Sequence, residues 1–300
     1  MKPDRSLAEI HGAVLLFGLA GLFGKWLPFS PVIIVLGRVF FASLSLAIVL
    51  YLSGQSLNIK PLRNFFFLLL LGALLAVHWI SFFHSIQIST VAIGLLSFAC
   101  YPVFTAFLEP LFFKEKLIKL NIIYALLCLI GIFLIVPHFQ LENTIYQGVL
   151  WGVFSGITFS ILTILNRKFS QQYSSLVIAF YQDLAATLFL FPFLFLIKYS
   201  LNPKDIILLV LLGVFCTAAA HSLFIKGMRR VKAQTASIIH SLEPFYGIIL
   251  AFLFLKEIPS LRTVGGGLLV VTAALAVSLT SKPSQPKFNT LSEGKNANKV

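Results

Sequence analysis

The sequence predicts an all-α integral membrane protein whose ten transmembrane helices form two inverted five-helix repeats. Three observations carry that prediction. Hydrophobic residues make up 58% of the 300 residues, charged residues 11%, and Phe alone supplies 31, a composition unlike that of a soluble domain. An apolar helix needs about 20 residues to cross the hydrocarbon core, and by that ruler the chain falls into ten apolar runs. The third observation is a repeated phrase. P-V-F-T-A-F-L-E-P-L-F-F-K-E, from Pro102 to Glu115, returns as P-F-Y-G-I-I-L-A-F-L-F-L-K-E, from Pro244 to Glu257, aligning Leu108 with Leu250, Leu111 with Leu253, Phe112 with Phe254 and Lys114 with Lys256.

Span 1, Ile10 to Leu27, is too long for the apolar part of a cleaved signal and is expected to be retained. Its Lys25, near the outer end, either snorkels to the surface or attracts solute. Span 2, Pro31 to Tyr51, follows a Ser-Pro pair and carries Arg38 about 10 Å inside its outer end. Span 3, Phe65 to His84, is aromatic-rich and sets His78 beside Trp79. Span 4, Thr90 to Phe113, and span 9, Ala233 to Leu255, contain the repeated phrase. Spans 5 and 10, Leu120 to Val136 and Leu261 to Thr280, are apolar runs, the latter opened by Gly265 to Gly267. Span 6, Ile145 to Leu165, holds Gly148, Gly152 and Gly156 at a spacing suited to close helix contact. Span 7, Ser174 to Ile197, has Asp183 near its middle, and span 8, Ile206 to Ile225, carries His221.

Because Pro102 falls in span 4 and Pro244 in span 9, the repeating unit is five helices, and an odd number turns the second copy upside down. Weaker echoes agree: Gly72 of span 3 matches Gly213 of span 8, and S-P-V-I-I-V-L-G-R from Ser30 resembles S-S-L-V-I-A-F-Y-Q from Ser174. With ten spans both termini share a side. The N-terminus, the loops after spans 2, 4, 6 and 8 and the tail hold roughly 17 Lys and Arg, against roughly 4 in the opposite loops, which predicts cytoplasmic termini in a bacterial inner membrane. The chain then divides into a cytoplasmic segment 1–9, a first repeat 10–137, a second repeat 145–280 and a cytoplasmic tail 281–300 whose Lys, Ser, Asn, Pro and Gly content predicts disorder.

Ten spans arranged five plus five, Pro-x(12)-Glu closing spans 4 and 9, and an aromatic span 3 running into S-T-V-A-I-G-L-L resemble the EamA-type branch of the drug/metabolite transporter superfamily. The resemblance covers about residues 8 to 280. It implies two pseudo-symmetric halves moving small organic solutes, commonly outward, around a cavity lined mainly by helices 1, 3, 4, 6, 8 and 9. A monomer and a homodimer are both compatible with it.

Candidate site residues follow from polarity inside the spans. Gly94, Ser97, Tyr101, Thr105 and Glu109 lie three or four apart on one face of span 4, and Ala236, His240, Glu243 and Gly247 do the same on span 9. The proline alignment sets Tyr101 on Glu243 and Thr105 on Gly247, so the two faces are equivalent in the two halves and suggest a shared cavity. The plainer alternative is helix packing and interhelical hydrogen bonding. Glu243 is about 15 Å from the cytoplasmic end of span 9, near the bilayer centre, where an ionisable group lines an aqueous path or pairs with a partner. His240, one turn away, could exchange a proton with it, which makes protons a candidate coupling ion, or could only tie two helices together. Arg38 aligns with Gln182, the neighbour of Asp183, and its expected partner is Glu243, Asp183 or the carboxylate of a solute. Trp79 aligns with His221, and with His78 these rings could stack on a planar solute or serve packing.

Other functions are poorly supported. The net charge of +13 sits between the apolar runs and reads as an orientation signal rather than a nucleic-acid footprint. Cys100, Cys128 and Cys216 lack metal-ligand or C-x-x-C spacing, and the 10 acidic residues form no D-x-x-D, H-E-x-x-H or nucleotide-binding motif. No cofactor, metal or enzymatic activity is expected. The expected function is secondary transport of small metabolites across the lipid bilayer, led by export of amino acids or related compounds. Uptake of a sugar-like or nucleotide-like solute is the alternative, and a membrane enzyme or channel a minor one.

Overall fold

The computed structural model describes residues 5–113, 118–136, 142–228 and 239–280, and among them every regular element is a helix. The first half comprises α1 (Arg5–Trp26), α2 (Pro31–Leu52), α3 (Leu62–Ile88), α4 (Val91–Phe98), α5 (Tyr101–Phe113) and α6 (Leu120–Ile135). The second comprises α7 (Thr144–Ser170), α8 (Ser175–Leu190), the single turn α9 (Phe193–Leu196), α10 (Pro203–Gly213), a π-helical segment Val214–Ala219 leading into α11 (Ala220–Gly227), α12 (Glu243–Leu255) and α13 (Leu261–Thr280). Seven stretches are long and apolar enough to cross a bilayer, and Leu120–Ile135, Glu243–Leu255 and Leu261–Ala276 are shorter apolar helices. Large apolar side chains such as Phe66, Leu111, Phe195 and Phe245 face outward, as the lipid-exposed surface of a membrane protein requires.

Local chemistry sets the helix starts. Ser30 and Ser174, which open the two similar nonapeptides, are both N-caps: their hydroxyls accept from the amides of Ile33 and Val177. Thr90 caps α4 in the same way, and Glu257, the last residue of the second repeated phrase, reaches over to accept from the Val91 amide at 3.0 Å. That Glu binds the N-terminus of a helix from the other half, where a carboxylate is favoured. Glu115, its counterpart, lies outside the described residues, as do Lys114, Ala236 and the tail 281–300.

The expected continuous span from Thr90 to Phe113 is broken. α4 ends at Phe98, Ala99 and Cys100 turn, and α5 restarts at Tyr101 with Pro102 as its second residue. Proline has no amide hydrogen to continue the ladder of the preceding helix, but it suits the first turn of a new one. The second phrase repeats the device: Ser241 and Leu242 turn, and α12 begins at Glu243 with Pro244 as its second residue. Span 7 is interrupted in a similar way: α8 ends at Leu190, Phe191 and Pro192 turn, and α9 carries the apolar run on to Leu196.

Helices pack chiefly across the two halves. α1 lies against α11 and α12, while α7 lies against α3, α4 and α5; α3 packs on α8, α10 on α2, and α6 on α13. Glycines make these approaches possible. A Cβ at Gly72 would meet Ala185 Cβ and Gln182 O at 2.5 Å, and one at Gly213 would meet Phe41 Cβ at 2.7 Å and Arg38 O at 2.8 Å. Gly131 and Gly266 face each other between α6 and α13, and Gly148, Gly152 and Gly156 press on Ser89, Ser97 and the Phe98 carbonyl.

Candidate functional site

The broken helices and the π-helical segment meet at the centre of the bundle. Glu243 occupies the first turn of α12, where the unpaired amides of the helix end favour a carboxylate. His240, just before the break, brings Nε2 to 2.9 Å from Glu243 Oε2, a close contact not aligned as a hydrogen bond. Its ring is enclosed by aromatics: Phe159 stacks on it at 5.1 Å between centroids, Tyr101 meets it edge-on at 4.9 Å, and Phe17, Phe98 and Phe224 complete the enclosure.

Arg38 is 1% exposed and enters from α2. Its guanidinium lies 3.9 Å over the Trp79 ring and 5.3 Å from that of Phe83, a cation–π seat. Nε donates to the Thr217 hydroxyl at 2.9 Å and Nη2 to the Cys216 carbonyl at 3.3 Å. Both acceptors belong to the π-helical segment. There the Ala220 amide reaches back five residues to Phe215 O in place of Cys216 O, leaving the Cys216 carbonyl for the arginine. The Thr217 hydroxyl in turn donates to Leu212 O at 2.8 Å. Of the expected carboxylate partners of Arg38, neither Glu243 nor Asp183 forms an ion pair with it in this conformation. A carbonyl, a hydroxyl and an aromatic face hold the cation instead.

The other predicted residues divide clearly. His78 Nδ1 is 2.9 Å from the Ser155 hydroxyl and 3.0 Å from the Ser155 carbonyl, which anchors its ring to α7. Trp79 and His221 meet edge-on with centroids 6.0 Å apart. Arg38, His78, Trp79, His221, His240 and Glu243 line one central cavity of about 30 Å³, room for one or two waters. Tyr101 contacts His240 from behind the cavity wall. Thr105 does not reach the cavity; its hydroxyl donates to the Tyr101 carbonyl at 3.0 Å. Asp183 is fully buried, does not line the cavity, and neither carboxyl oxygen has a hydrogen-bond partner among the described residues. Glu109 pairs with Arg167 at 2.8 Å, and Lys25 binds the Ser89 carbonyl at 2.8 Å rather than extending outward.

Sequence reasoning overlooked Thr217, Phe17, Phe159 and Phe224. A signal for the aromatics was present. The offset that carries Pro102 onto Pro244 also carries Phe17 onto Phe159, Phe82 onto Phe224, Phe98 onto His240 and Tyr101 onto Glu243, and all of these side chains surround one point. A larger groove of about 640 Å³ opens between α2, α8 and the π-helical segment with α11. Ser45, Gln55, Ser174, Ser222 and Lys226 are among its lining residues.

Known proteins share this architecture. A solved protein structure, 16% identical, superposes with a TM-score of 0.67 over 92% of this chain and 96% of its own. An uncharacterized transporter, YxxF, of Bacillus subtilis is 25% identical over 288 residues, covering 94% of this chain and 91% of that protein. The S-adenosylmethionine uptake transporters of Rickettsia felis and Rickettsia prowazekii are 25% and 26% identical, covering 83% and 82% of this chain and the same shares of their own lengths. The profile of the EamA-like transporter family matches twice, at residues 9–136 and 146–279. With both halves matched and an all-helical apolar fold around one central cavity, the chain belongs to the EamA-like transporter family.

Proposed function

We propose that this transporter is a secondary carrier for metabolites bearing an α-amino carboxylate, and that it exports them by alternating access. The observation that carries the reading is the opposition of charges across one aromatic cavity. Arg38, fully buried on Trp79, faces the solute space from α2, and Glu243 at the start of α12 faces it together with His240 just before the break. A solute carboxylate suits the first and its ammonium the second, while Phe82, Phe98 and Phe159 receive a side chain. At about 30 Å³ the cavity is too small for such a solute, so the helices must part to admit one.

The moving parts in this reading are two inverted halves, residues 10–137 and 145–280, of five spans each. Reciprocal packing supports them: span 1 on span 9 is matched by span 6 on span 4, and span 3 on span 7 by span 8 on span 2. Lys and Arg asymmetry supports cytoplasmic termini in an inner membrane. The groove ending at Gln55, Ser174 and Lys226 then faces the cytoplasm as an entry route. A second reading, uptake, is favoured by the printed names of the rickettsial relatives.

A thermal-shift screen of the purified protein tests the proposal, with L-phenylalanine, S-adenosylmethionine and their carboxamide analogues among the probes. Carboxylate-bearing solutes are expected to raise the melting temperature, and Arg38→Ala to abolish that shift selectively. Equal stabilisation by acids and amides contradicts the assignment of Arg38.

A further inference from the structure

Asp183 is the charge-bearing residue that the solute cavity leaves unexplained. It lies at the middle of α8, 0% exposed, with both carboxyl oxygens unpartnered. α8 packs on α2, α3, α7 and α11. At the level of the cavity those helices carry Arg38 from α2, His78 from α3, and His221 with the neighbouring Cys216 from span 8, while α7 presents the neutral Asn166 to Gln182. Of these, Arg38 is the permanent cation, and it shares the cavity wall with Glu243 while Asp183 lies outside that lining. One cation thus serves two buried carboxylates, one lining the cavity and one outside its lining.

An ionised carboxylate in a dry interior is far costlier than a neutral one unless a cation or donors face it. Glu243 has such support, from the α12 N-terminus, from His240 and from Arg38 across the cavity. Among the described residues Asp183 has no hydrogen-bond or ion-pair partner, and Arg38 is turned to Thr217, Cys216 and Trp79 in this conformation. Arg38 keeps its charge, so Arg38 with the two carboxylates Glu243 and Asp183 is neutral when one proton is bound, and of the two carboxylates Asp183 is the one that sits at no helix N-terminus and has neither oxygen partnered among the described residues.

We propose that Asp183 is the exchangeable-proton site of the carrier, separated from the solute by Arg38. Resting on the reading of the cavity above, the device works as follows. In the empty cavity Arg38 balances Glu243 and Asp183 is a carboxylic acid. A solute sets its α-ammonium against Glu243 and its carboxylate against Arg38, and one that carries a further cationic group adds a net positive charge to this buried set. The Asp183 O–H bond then breaks, its proton leaves to water, and the carboxylate pairs with Arg38. Net charge is conserved, because one proton departs for each cation received. A zwitterion adds no net charge and displaces no proton.

Two measurements on the full-length protein test this. Infrared spectra without ligand are expected to show a protonated-carboxyl band in wild type that Asp183→Asn removes. Glu243→Gln mimics the cation-bound state and should also abolish it. Absence of such a band from wild type, or its survival in Glu243→Gln, overturns the proposal. In weak buffer with a pH dye, S-adenosylmethionine, which has one net positive charge, should release about one proton per molecule bound, and zwitterionic L-phenylalanine none. Asp183→Asn should bind L-phenylalanine as wild type does and release no proton with S-adenosylmethionine. Binding of S-adenosylmethionine without proton release in wild type, or release that persists in Asp183→Asn, overturns the proposal. If neither solute binds, the reading of the cavity fails and the infrared result alone decides the proton site.

Discussion

Thr217→Val keeps the shape of the side chain and removes the hydroxyl on which Arg38 rests. The lost bond, Nε–H to Oγ1 at 2.9 Å, is buried and charge-assisted, a class worth about 1.5–3 kcal/mol. Expressed wholly at the solute, that is roughly a 10- to 150-fold rise in Kd. The same hydroxyl donates to Leu212 O at 2.8 Å, and losing that bond costs about 0.5–1.5 kcal/mol of stability. The Cys216 carbonyl and the Trp79 face remain, so the guanidinium stays in place but is less firmly aimed. Binding of labelled L-phenylalanine should weaken roughly tenfold, binding of its carboxamide should not change, and Thr217→Ser should restore both affinity and melting temperature. Equal weakening of acid and amide, or failure of serine to restore, refutes the role assigned to Thr217.

Three further perturbations test the frame. A Cβ at Gly131 would lie 2.7 Å from the Gly266 carbonyl, so Gly131→Leu should separate α6 from α13 and lower stability by about 1–3 kcal/mol, read as the melting temperature in detergent. Glu257→Gln replaces a charged cap on the Val91 amide with a neutral one, and a loss of about 0.5–1 kcal/mol is expected in the same assay. Reporter fusions after Thr280 should give only cytoplasmic signal; a periplasmic signal there removes the inverted-repeat arrangement.

The sequence was most legible where chemistry repeats. The two Pro-x(12)-Glu phrases marked both helix breaks, because a proline lacks its amide hydrogen wherever it stands, and Ser30 and Ser174 carried the same capping chemistry into both halves. The break itself was read as a continuous span, since a proline in the second position of a new helix and one inside an old helix look alike in an apolar run. The seat of Arg38 was not legible. A π-helical turn leaves no periodic trace in six residues as ordinary as V-F-C-T-A-A, and only the turn brings Thr217 and the Cys216 carbonyl to the arginine. Composition and spacing likewise flagged Asp183 as a buried charge, whereas its lack of a hydrogen-bond donor among the described residues emerged only from the packing of α8.

Counterflow in proteoliposomes tests the central claim most directly. Vesicles containing the protein and preloaded with unlabelled L-phenylalanine should take up labelled L-phenylalanine saturably and faster than empty ones, and Arg38→Ala should lower that exchange at least tenfold, equivalent to about 1.4 kcal/mol of lost recognition. Continuous unitary currents in place of exchange, or exchange indifferent to Arg38→Ala, would contradict an alternating-access carrier that reads a carboxylate through Arg38.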